Sequence, residues 1–216
     1  MKNIKLVATA VFLLLTCLST AQNPDITPSI VQSTRDATVI VQVREKDETT
    51  FSSNGTGWFY ESKNTIITAK HVIDTAIECK VVCSNGETLD VLTVKASPDS
   101  DIAMLVLKTP IKLKIKSIQL AKKQVVFGEV IYTVGHPFME FKFHLSTGHV
   151  TNETYEKDYF LTSTPLLPGN SGGVFCNAKG EAVGIAIAKF VDTETINVVM
   201  KFSVLKKNIE NFKNVK

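Results

Sequence analysis

The hexapeptide Pro168-Gly169-Asn170-Ser171-Gly172-Gly173 is the stretch from which the fold and chemistry of this chain are inferred. A serine hydroxyl becomes an effective nucleophile only when a base takes its proton and donors stabilise the oxyanion that forms. The glycines permit a sharp turn, which can point the amides of Gly169 and Ser171 at one position. Because the same residues are common in ordinary turns, the hexapeptide alone leaves a catalytic serine and a surface loop as alternatives.

Two further segments supply the partners that a catalytic serine needs. The first, Thr68-Ala69-Lys70-His71-Val72, places a histidine 100 residues before Ser171. The second, Asp101-Ile102-Ala103-Met104-Leu105, lies between the two. An imidazole titrates near neutral pH, so His71 can take the serine proton and later protonate the leaving amine. Asp101 can orient that imidazole, with Asp99 as the competing aspartate and a solvated turn as the alternative for both.

In this order and spacing, the three segments resemble the trypsin-like (chymotrypsin-fold) serine peptidases, and most closely the HtrA-type bacterial branch. The resemblance extends from about Val39 to Gly184. It implies two antiparallel six-stranded β-barrels with the active site in the cleft between them, followed by a short C-terminal helix. We expect the chain to lack the peptide-binding PDZ domain that HtrA enzymes usually carry.

The resemblance also assigns roles to individual residues. It implies that Ser171 is the nucleophile, His71 the general base and acid, and Asp101 the orienting carboxylate. The oxyanion hole would be formed at Gly169, Asn170 and Ser171. No cofactor or metal is expected, because the chemistry is carried by side chains and backbone amides.

The pocket for the side chain before the scissile bond can be inferred only from the same resemblance. The residues that would line it come from the segment before the serine and from the strand after it: Leu166, Leu167, Ala186, Ile187 and Ala188. These positions offer no aspartate to hold Arg or Lys, and no histidine follows Gly184-Ile185. A small or medium apolar side chain is therefore favoured, since an uncompensated buried charge is costly.

The secondary-structure pattern independently predicts an all-β protein. From Ile30 onward, short β-rich runs are separated by turn residues, a pattern typical of barrels or sandwiches. Asn85-Gly86 predicts a hairpin, and residues 72–76 are expected to form a short helical turn. Phe202, Leu205, Ile209 and Phe212 recur at helical spacing, which predicts a terminal helix with Ser203 as its N-cap.

Three segments are predicted along the chain. Residues 1–21 are expected to be a signal peptide, because two lysines precede an apolar run too short for a membrane span and small residues end it. A loose lipobox ending at Cys17 leaves a lipoprotein as the minority alternative. Residues 22–111 would form the N-terminal barrel with the histidine and aspartate. Residues 112–216 would form the C-terminal barrel with the serine, the oxyanion hole and the terminal helix.

The net charge and the spacing of cysteines and histidines limit the kinds of partner and binding site that we expect. The formal net charge is +3 and falls to +1 without the two lysines of the signal segment, which gives no reason to expect a nucleic-acid or membrane-surface partner. Cys79 and Cys83 are four residues apart in a predicted strand, or roughly 13 Å, which is too far for a disulfide. With Cys176 the mature chain has an odd number of cysteines, so at least one thiol is free. The histidines and cysteines show no zinc-ligand spacing.

The sequence as a whole therefore predicts a secreted or periplasmic serine endopeptidase that hydrolyses polypeptides through an acyl-enzyme. No stable membrane span is expected after signal removal, and the resemblance leaves the oligomeric state open, with an HtrA-like trimer as one option. A catalytically silent binding protein of the same fold is the first alternative. An unrelated β-sandwich adhesin or carbohydrate binder is the second, and it requires His71, Asp101 and Ser171 to lie far apart.

Overall fold

The computed structural model describes residues 25–112, 114–189 and 196–214, and for residues 188 and 189 it describes only the backbone. The predicted signal peptide, residues 1–21, lies outside the described residues. The polypeptide folds into two closed antiparallel barrels of six strands each. The expectation of an all-β fold with two six-stranded barrels is therefore confirmed.

The first barrel closes in the order β1-β2-β3-β6-β5-β4. Its strands are β1 (Thr38–Glu45), β2 (Ser52–Phe59), β3 (Thr65–Thr68), β4 (Ala76–Cys83), β5 (Thr88–Ala96) and β6 (Ala103–Leu107). The predicted hairpin joins β4 to β5, with Gly86 at a φ of 83° in the turn. Such a positive φ suits glycine, which has no Cβ to clash with the backbone.

The second barrel repeats this architecture in the order β10-β11-β12-β9-β8-β7. Its strands are β7 (Val130–Gly135), β8 (His144–Asn152), β9 (Tyr159–Thr162), β10 (Val174–Asn177), β11 (Ala182–Lys189) and β12 (Asn197–Lys201). The serine segment connects β9 to β10. Strand β11 pairs with β10 on one side and with β12 on the other.

Apolar side chains that point inward fill both barrels. In the first barrel Trp58, Ile66 and Leu105 come from three successive strands of the closed sheet and are fully buried. Phe160 and Phe175 are equally buried in the second. Burying a side chain of this size contributes roughly 1.5–3 kcal/mol, so the cores fix the strand registers that position the loops at the barrel ends.

Two helices flank the barrels: the N-terminal one was not predicted, and the predicted C-terminal one is confirmed but begins earlier than expected. Helix α1 (Pro28–Ala37) stands where strand structure was expected from Ile30 onward, so that prediction was wrong. Pro28 occupies the first turn and the Thr27 hydroxyl accepts from the Ile30 N–H, so proline and an N-cap start this helix. Helix α2 (Phe202–Asn214) begins directly after β12, which places the predicted N-cap, Ser203, inside the helix. In the described part of the chain, neither helix is long and apolar enough to cross a membrane.

The predicted helical turn after the histidine is also displaced. A 3-10 helix covers Lys70–Val72, and β4 already begins at Ala76. The turn therefore includes His71 itself rather than following it. The backbone N–H of His71 donates to the carboxylate of Asp101, 30 residues away in sequence, and this contact holds the chain in the turn.

Each terminal helix contacts the barrel next to it in sequence and also bonds to the other barrel. In α1, the Thr34 hydroxyl is hydrogen-bonded to the Tyr132 hydroxyl of the second barrel at 2.8 Å. The Phe212 carbonyl of α2 accepts from Lys95 Nζ of the first barrel at 2.7 Å. Lys213 of the same helix forms an ion pair with Glu61 at 2.5 Å. The two helices thus hold the barrels against each other.

The described residues of the connection between the barrels, 108–112 and 114–129, form no regular strand. They touch both sheets through isolated bridges, Tyr60 to Ile118 and Leu120 to Ala182. Cys79, Cys83 and Cys176 are all buried and free. The expectation that Cys79 and Cys83 are not bridged to each other is therefore confirmed.

Candidate active site

His71 and Asp101 meet at one end of the first barrel. The 3-10 helix after β3 carries the histidine, and the turn before β6 carries the aspartate, while β3 and β6 pair with each other. The ring Nδ1 lies 2.6 Å from Asp101 Oδ2, and the His71 backbone N–H donates to Oδ1 at 2.8 Å. Asp99, the competing aspartate, is exposed.

This arrangement fixes the proton position on the imidazole. An ionised carboxylate can only accept hydrogen bonds, so Nδ1 carries the hydrogen and Nε2 is left with its lone pair. Because the same carboxylate also holds the backbone of His71, both the ring and its point of attachment are oriented by Asp101. The Nε2 atom is the one that a general base would use.

The pKa values of the pair move apart. The hydrogen bond to Asp101 raises the pKa of His71 by more than burial lowers it, and the charges of Asp101 and Asp74 act in the same upward direction. Burial raises the pKa of the Asp101 carboxyl, but hydrogen bonds from the ring and backbone of His71 outweigh it, so this pKa lies below its ordinary value. The pair therefore favours an ionised aspartate beside a histidine that is more basic than usual.

The serine segment comes from the second barrel and is anchored on the first. Its residue Gly172 has a φ of 83°, and a Cβ at this position would collide with the carbonyl of Thr56 and the hydroxyl of Thr68 while lying 2.8 Å from the amide nitrogen of Ala69. Only glycine permits this approach. Gly172, the residue after Ser171, therefore packs against Ala69, which lies two residues before His71.

Strand β2 provides the surface on which the serine segment rests. The Thr56 N–H donates to the Ser171 carbonyl at 2.8 Å, and the Thr56 hydroxyl donates to the Gly169 carbonyl at 2.7 Å. A Cβ on Gly55 would lie 3.0 Å from the Ser171 carbonyl. The sequence analysis did not identify Thr56, although the two glycines that flank it indicate a position where backbones approach closely.

The backbone of Gly169 has a conformation that requires glycine. Its φ is 100°, and a Cβ there would collide with the carbonyl of His136. Among the described residues, no group accepts a hydrogen bond from the N–H of Gly169 or Ser171, whereas the Asn170 N–H donates to the Leu167 carbonyl at 3.0 Å. These are the two N–H groups that the sharp turn was expected to point at one position.

Asn170 itself is buried against the second barrel. Its carbonyl accepts from the Gly173 N–H at 2.9 Å, which closes the turn around Ser171. Its side-chain oxygen is buried without a hydrogen-bond partner among the described residues and lies against the backbone of Gly135, where a Cβ would be 2.5 Å away. Asn170 therefore shapes the turn through packing and its main chain.

The structure brings the serine segment against the chain just before His71, which is bonded to Asp101, but the serine hydroxyl is not bonded to the imidazole. In the described residues, no hydrogen bond joins Ser171 Oγ to His71, whose ring is bonded to Asp101 alone. Catalytic hydrogen bonds are often long in the absence of substrate and shorten in the productive complex. The side chain of Ser171 is partly exposed, so it is accessible from the cleft.

The residues predicted to line the specificity pocket differ in their burial and in their contacts with the serine segment. Ala186 exchanges backbone hydrogen bonds with Gly172 and Gly173, so β11 runs along the C-terminal side of the serine. Leu166 and Ala186 are buried within the core of the second barrel. Leu167 and Ile187 are half-buried. The side chain of Ala188 lies outside the described residues.

On the N-terminal side, the serine segment is supported by residues 136–143. The Phe138 N–H donates to the Pro168 carbonyl at 2.6 Å. His136 is fully buried, its Nδ1 accepts from the Phe143 N–H at 3.0 Å, and the two rings meet edge to face at 4.6 Å. Burial lowers the pKa of His136 to about 4, so this ring is a neutral structural group and not a second base.

The polar groups around the serine segment are an oriented imidazole, a hydroxyl and two backbone N–H groups. Over the described residues, no group of three or more His, Cys, Asp or Glu side chains is placed to hold a metal ion.

Comparison with known proteins shows the family to which the chain belongs. The family model for the trypsin-like peptidase domain matches residues 55–185, which is more than half of the chain. The chain is 30% identical over 147 residues to the periplasmic serine endoprotease DegP of Escherichia coli, covering 64% of this chain and 30% of DegP. It is 27% identical over 146 residues to "Protease Do-like 1, chloroplastic" of Arabidopsis thaliana, covering 62% of this chain and 33% of that protein. The chain thus spans about a third of the length of these relatives.

Solved structures give the same result for the fold. The serine endoprotease from Yersinia pestis superimposes with a TM-score of 0.71 at 25% identity, covering 87% of this chain and 67% of that one. The active form of the Rv3671c protease from M. tuberculosis gives a TM-score of 0.73 at 16% identity, which supports the fold alone. The likeness includes both barrels, and the family match includes the segments of His71, Asp101 and Ser171. The chain therefore belongs to the trypsin-like peptidase family and is similar to its HtrA-type members.

Proposed function

We propose that this protein is a serine endopeptidase that hydrolyses polypeptides through an acyl-enzyme, with Ser171, His71 and Asp101 as its catalytic residues. The observation that carries the proposal is the bidentate contact of Asp101 with the ring and backbone of His71, beside a serine segment anchored on Thr56 and Ala69. A buried structural histidine would not need its ring nitrogen and its own N–H held by one carboxylate at the edge of a cleft.

The mechanism follows from the atoms available. Nε2 of His71 takes the proton of Ser171 as Oγ bonds to the scissile carbonyl carbon. The resulting oxyanion is stabilised by the N–H groups of Gly169 and Ser171, and one such donor is typically worth about 10²–10³ in rate. The C–N bond then breaks as Nε2 returns the proton to the leaving amine. Water hydrolyses the acyl-enzyme by the same base catalysis and regenerates the Ser171 hydroxyl.

A fluorophosphonate probe tests the nucleophile directly. The wild-type chain should be labelled at Ser171, as located by peptide mapping, and Ser171→Ala should abolish labelling. Ser29→Ala serves as the matched control, because Ser29 is exposed on α1 and far from the cleft in sequence. A folded wild-type protein that is not labelled would instead be a catalytically silent binding protein of this fold.

For the side chain before the scissile bond we propose a small or medium apolar residue. Ala186 is buried directly behind the serine segment and pairs with it through the backbone, which favours a shallow apolar site without a fixed charge. Cleavage of a peptide library by the purified protein tests this. Dominant cleavage after Arg, Lys or Glu would contradict it, since an uncompensated buried charge is costly.

We also propose that the protein is exported, on the basis of the charged, apolar and small-residue regions of residues 1–21. The relative DegP of Escherichia coli is named as periplasmic, which supports this location. Mass spectrometry of the mature protein from an exporting host should show an N-terminus at Gln22. A lipid-modified N-terminus at Cys17 would support the lipoprotein alternative, and Cys17→Ser distinguishes the two.

A further inference from the structure

The loop between β7 and β8 places aromatic side chains beside the serine segment. This loop, residues 137–143 and called the aromatic loop below, follows His136 directly. Its Phe138 N–H donates to the Pro168 carbonyl at 2.6 Å. A Cβ on Gly169 would lie 3.1 Å from Met139 Cε. The aromatic loop is therefore in direct contact with the residue whose N–H is proposed to bind the oxyanion.

Two aromatic side chains of this loop are exposed. Phe138 is 55% exposed and Phe141 is 56% exposed, and Leu145 follows at the start of β8 with 40%. Phe143, in contrast, packs against the buried ring of His136 at 4.6 Å. The interior contacts of the loop thus come from Phe143 and His136, so Phe138 and Phe141 are not needed to fill the core.

The backbone conformation of the loop also keeps Phe138 in its position. The φ of Phe138 is 55° and that of Met139 is 60°, which is an uncommon conformation for residues with side chains. Non-glycine residues in this region persist only where their surroundings fix them. Here the hydrogen bond to Pro168 and that of the Met139 N–H to the His136 carbonyl at 2.9 Å provide the constraint.

The aromatic loop and β11 contact different ends of the serine segment. Strand β11 bonds to Gly172 and Gly173, after the serine in sequence, and borders the proposed pocket for the residue before the cut. The aromatic loop contacts Pro168 and Gly169, before the serine in sequence. With the acyl half of a substrate along β11 and its carbonyl oxygen at the Gly169 N–H, the aromatic loop is the neighbouring surface left for the leaving half.

We infer that Phe138 and Phe141 form a binding subsite for large apolar side chains at the first two substrate positions after the scissile bond. The inference rests on the proposed endopeptidase function and extends it to the leaving half of the substrate. Apolar burial between substrate and ring supplies the selectivity, and the rings act by holding the leaving segment while His71 protonates its amine.

The first test compares internally quenched peptides that share one acyl half and differ only in the two residues after the cut. Leu or Phe at these positions should give a kcat/KM at least about tenfold above Ser or Asp, the usual discrimination of an apolar pocket. Equal values of kcat/KM across the series would overturn the inference while leaving the endopeptidase function intact.

Variants then assign the selectivity to the two rings. Phe138→Asn keeps a residue that tolerates positive φ but lacks the ring, and Phe141→Ser removes the second ring. Each should reduce the preference for Leu over Ser several-fold, mainly through the Leu peptide. Phe127→Ser is the matched control, because Phe127 is 72% exposed but lies on the connection before β7, outside the aromatic loop. It should leave the preference unchanged.

A substrate without a leaving peptide separates binding from damage to the oxyanion site. Hydrolysis of a methyl ester with the same acyl half, and labelling by a fluorophosphonate, should fall much less than cleavage of the Leu peptide in Phe138→Asn and Phe141→Ser. If both variants lose ester hydrolysis in parallel with peptide cleavage, the rings merely support the fold of the serine segment and the inference is wrong. If the wild type is neither labelled nor active on any peptide, the endopeptidase proposal itself fails.

Discussion

The hydroxyl of Thr56 donates a hydrogen bond to the carbonyl of Gly169 at 2.7 Å, across 113 residues of sequence and from one barrel to the other. Thr56 is fully buried, and its own N–H holds the Ser171 carbonyl at 2.8 Å. One residue of β2 thus holds the carbonyls of Gly169 and Ser171, the two residues whose N–H groups are the proposed oxyanion donors. The orientation of the proposed oxyanion donors therefore depends on a side chain from the barrel that carries the histidine.

Replacing the Thr56 hydroxyl with a methyl group of similar size should slow the reaction, because the Gly169 carbonyl loses its hydrogen-bond donor. Thr56→Val leaves the Gly169 carbonyl without its donor, and an unsatisfied buried polar group costs about 1–3 kcal/mol. We expect the rate of fluorophosphonate labelling to fall about tenfold if that cost is met by rotation of the peptide. Thr56→Ser retains the hydroxyl and should stay within about twofold of the wild type. A Thr56→Val protein labelled at the wild-type rate would show that the contact does not position the segment.

The positive φ of Gly169 gives a second prediction, and another glycine with a positive φ, Gly86, provides its control. Gly169→Ala places a Cβ at a φ of 100° and against the His136 carbonyl, so the segment must move and labelling should fall at least about a hundredfold. Gly86→Ala shares a positive φ, at 83°, but meets nothing within 4 Å. It should cost only about 1 kcal/mol of stability, measured by urea unfolding, and leave labelling unchanged. Equal losses of labelling in the two variants would argue against a special role for Gly169.

The pH dependence of labelling follows from the raised pKa of His71. The base acts only when neutral, so the rate should fall as the pH drops through this pKa, and its midpoint should lie above the ordinary value of about 6.5. Asp101→Asn removes the hydrogen-bonding carboxylate that causes the shift. The midpoint should then move to lower pH, and the plateau rate should fall about a thousandfold or more.

The measurement is the second-order rate constant of fluorophosphonate labelling across the acid limb. Asp99→Asn is the matched control, because Asp99 is exposed and has no hydrogen bond to His71 among the described contacts. It should keep both the midpoint and the plateau. An unchanged midpoint in Asp101→Asn would mean that another group sets the acid limb.

The three cysteines should be inert in the folded protein. Burial raises the pKa of Cys79 to about 11, and burial is also the main cause that raises the pKa of Cys83 and of Cys176 to about 12. Since the thiolate is the reactive form, a chain that begins at Gln22 should not react with a thiol-specific disulfide reagent until it is unfolded.

Denaturant should then expose all three thiols together. Ser29→Cys, on the exposed surface of α1, provides the positive control and should react at once in the folded state. Rapid reaction of a native cysteine, or fewer than three thiols after unfolding, would contradict the structure.

The sequence was sufficient for the parts of the structure that depend on local residue types. β-Branched runs and the Asn85-Gly86 turn predicted the strands of the first barrel, and the Gly-Asn-Ser-Gly sequence predicted the sharp turn at Ser171. These signals are local because strand preference and positive φ are properties of single residues and their neighbours. The choice of Asp101 over Asp99 came from the family resemblance, and the structure shows Asp101 bonded to the imidazole.

Most of the missed features depend on distant partners, and helix α1 is the exception. Helix α1 was not predicted, although Thr27 and Pro28 form an ordinary start signal, because the following residues are rich in β-branched side chains. The 3-10 helix at His71 depends on Asp101, 30 residues away. Thr56 and the aromatic loop matter only because the fold brings them to the serine segment, and no local pattern reports such proximity.

The contacts between the C-terminal helix and the first barrel have a consequence for biosynthesis. Helix α2 is translated after the whole second barrel, yet Lys213 and the Phe212 carbonyl bond to Glu61 and Lys95 of the first. These two contacts can therefore form only after both barrels have been synthesised, whereas the bonds from Thr56 to the serine segment can form earlier.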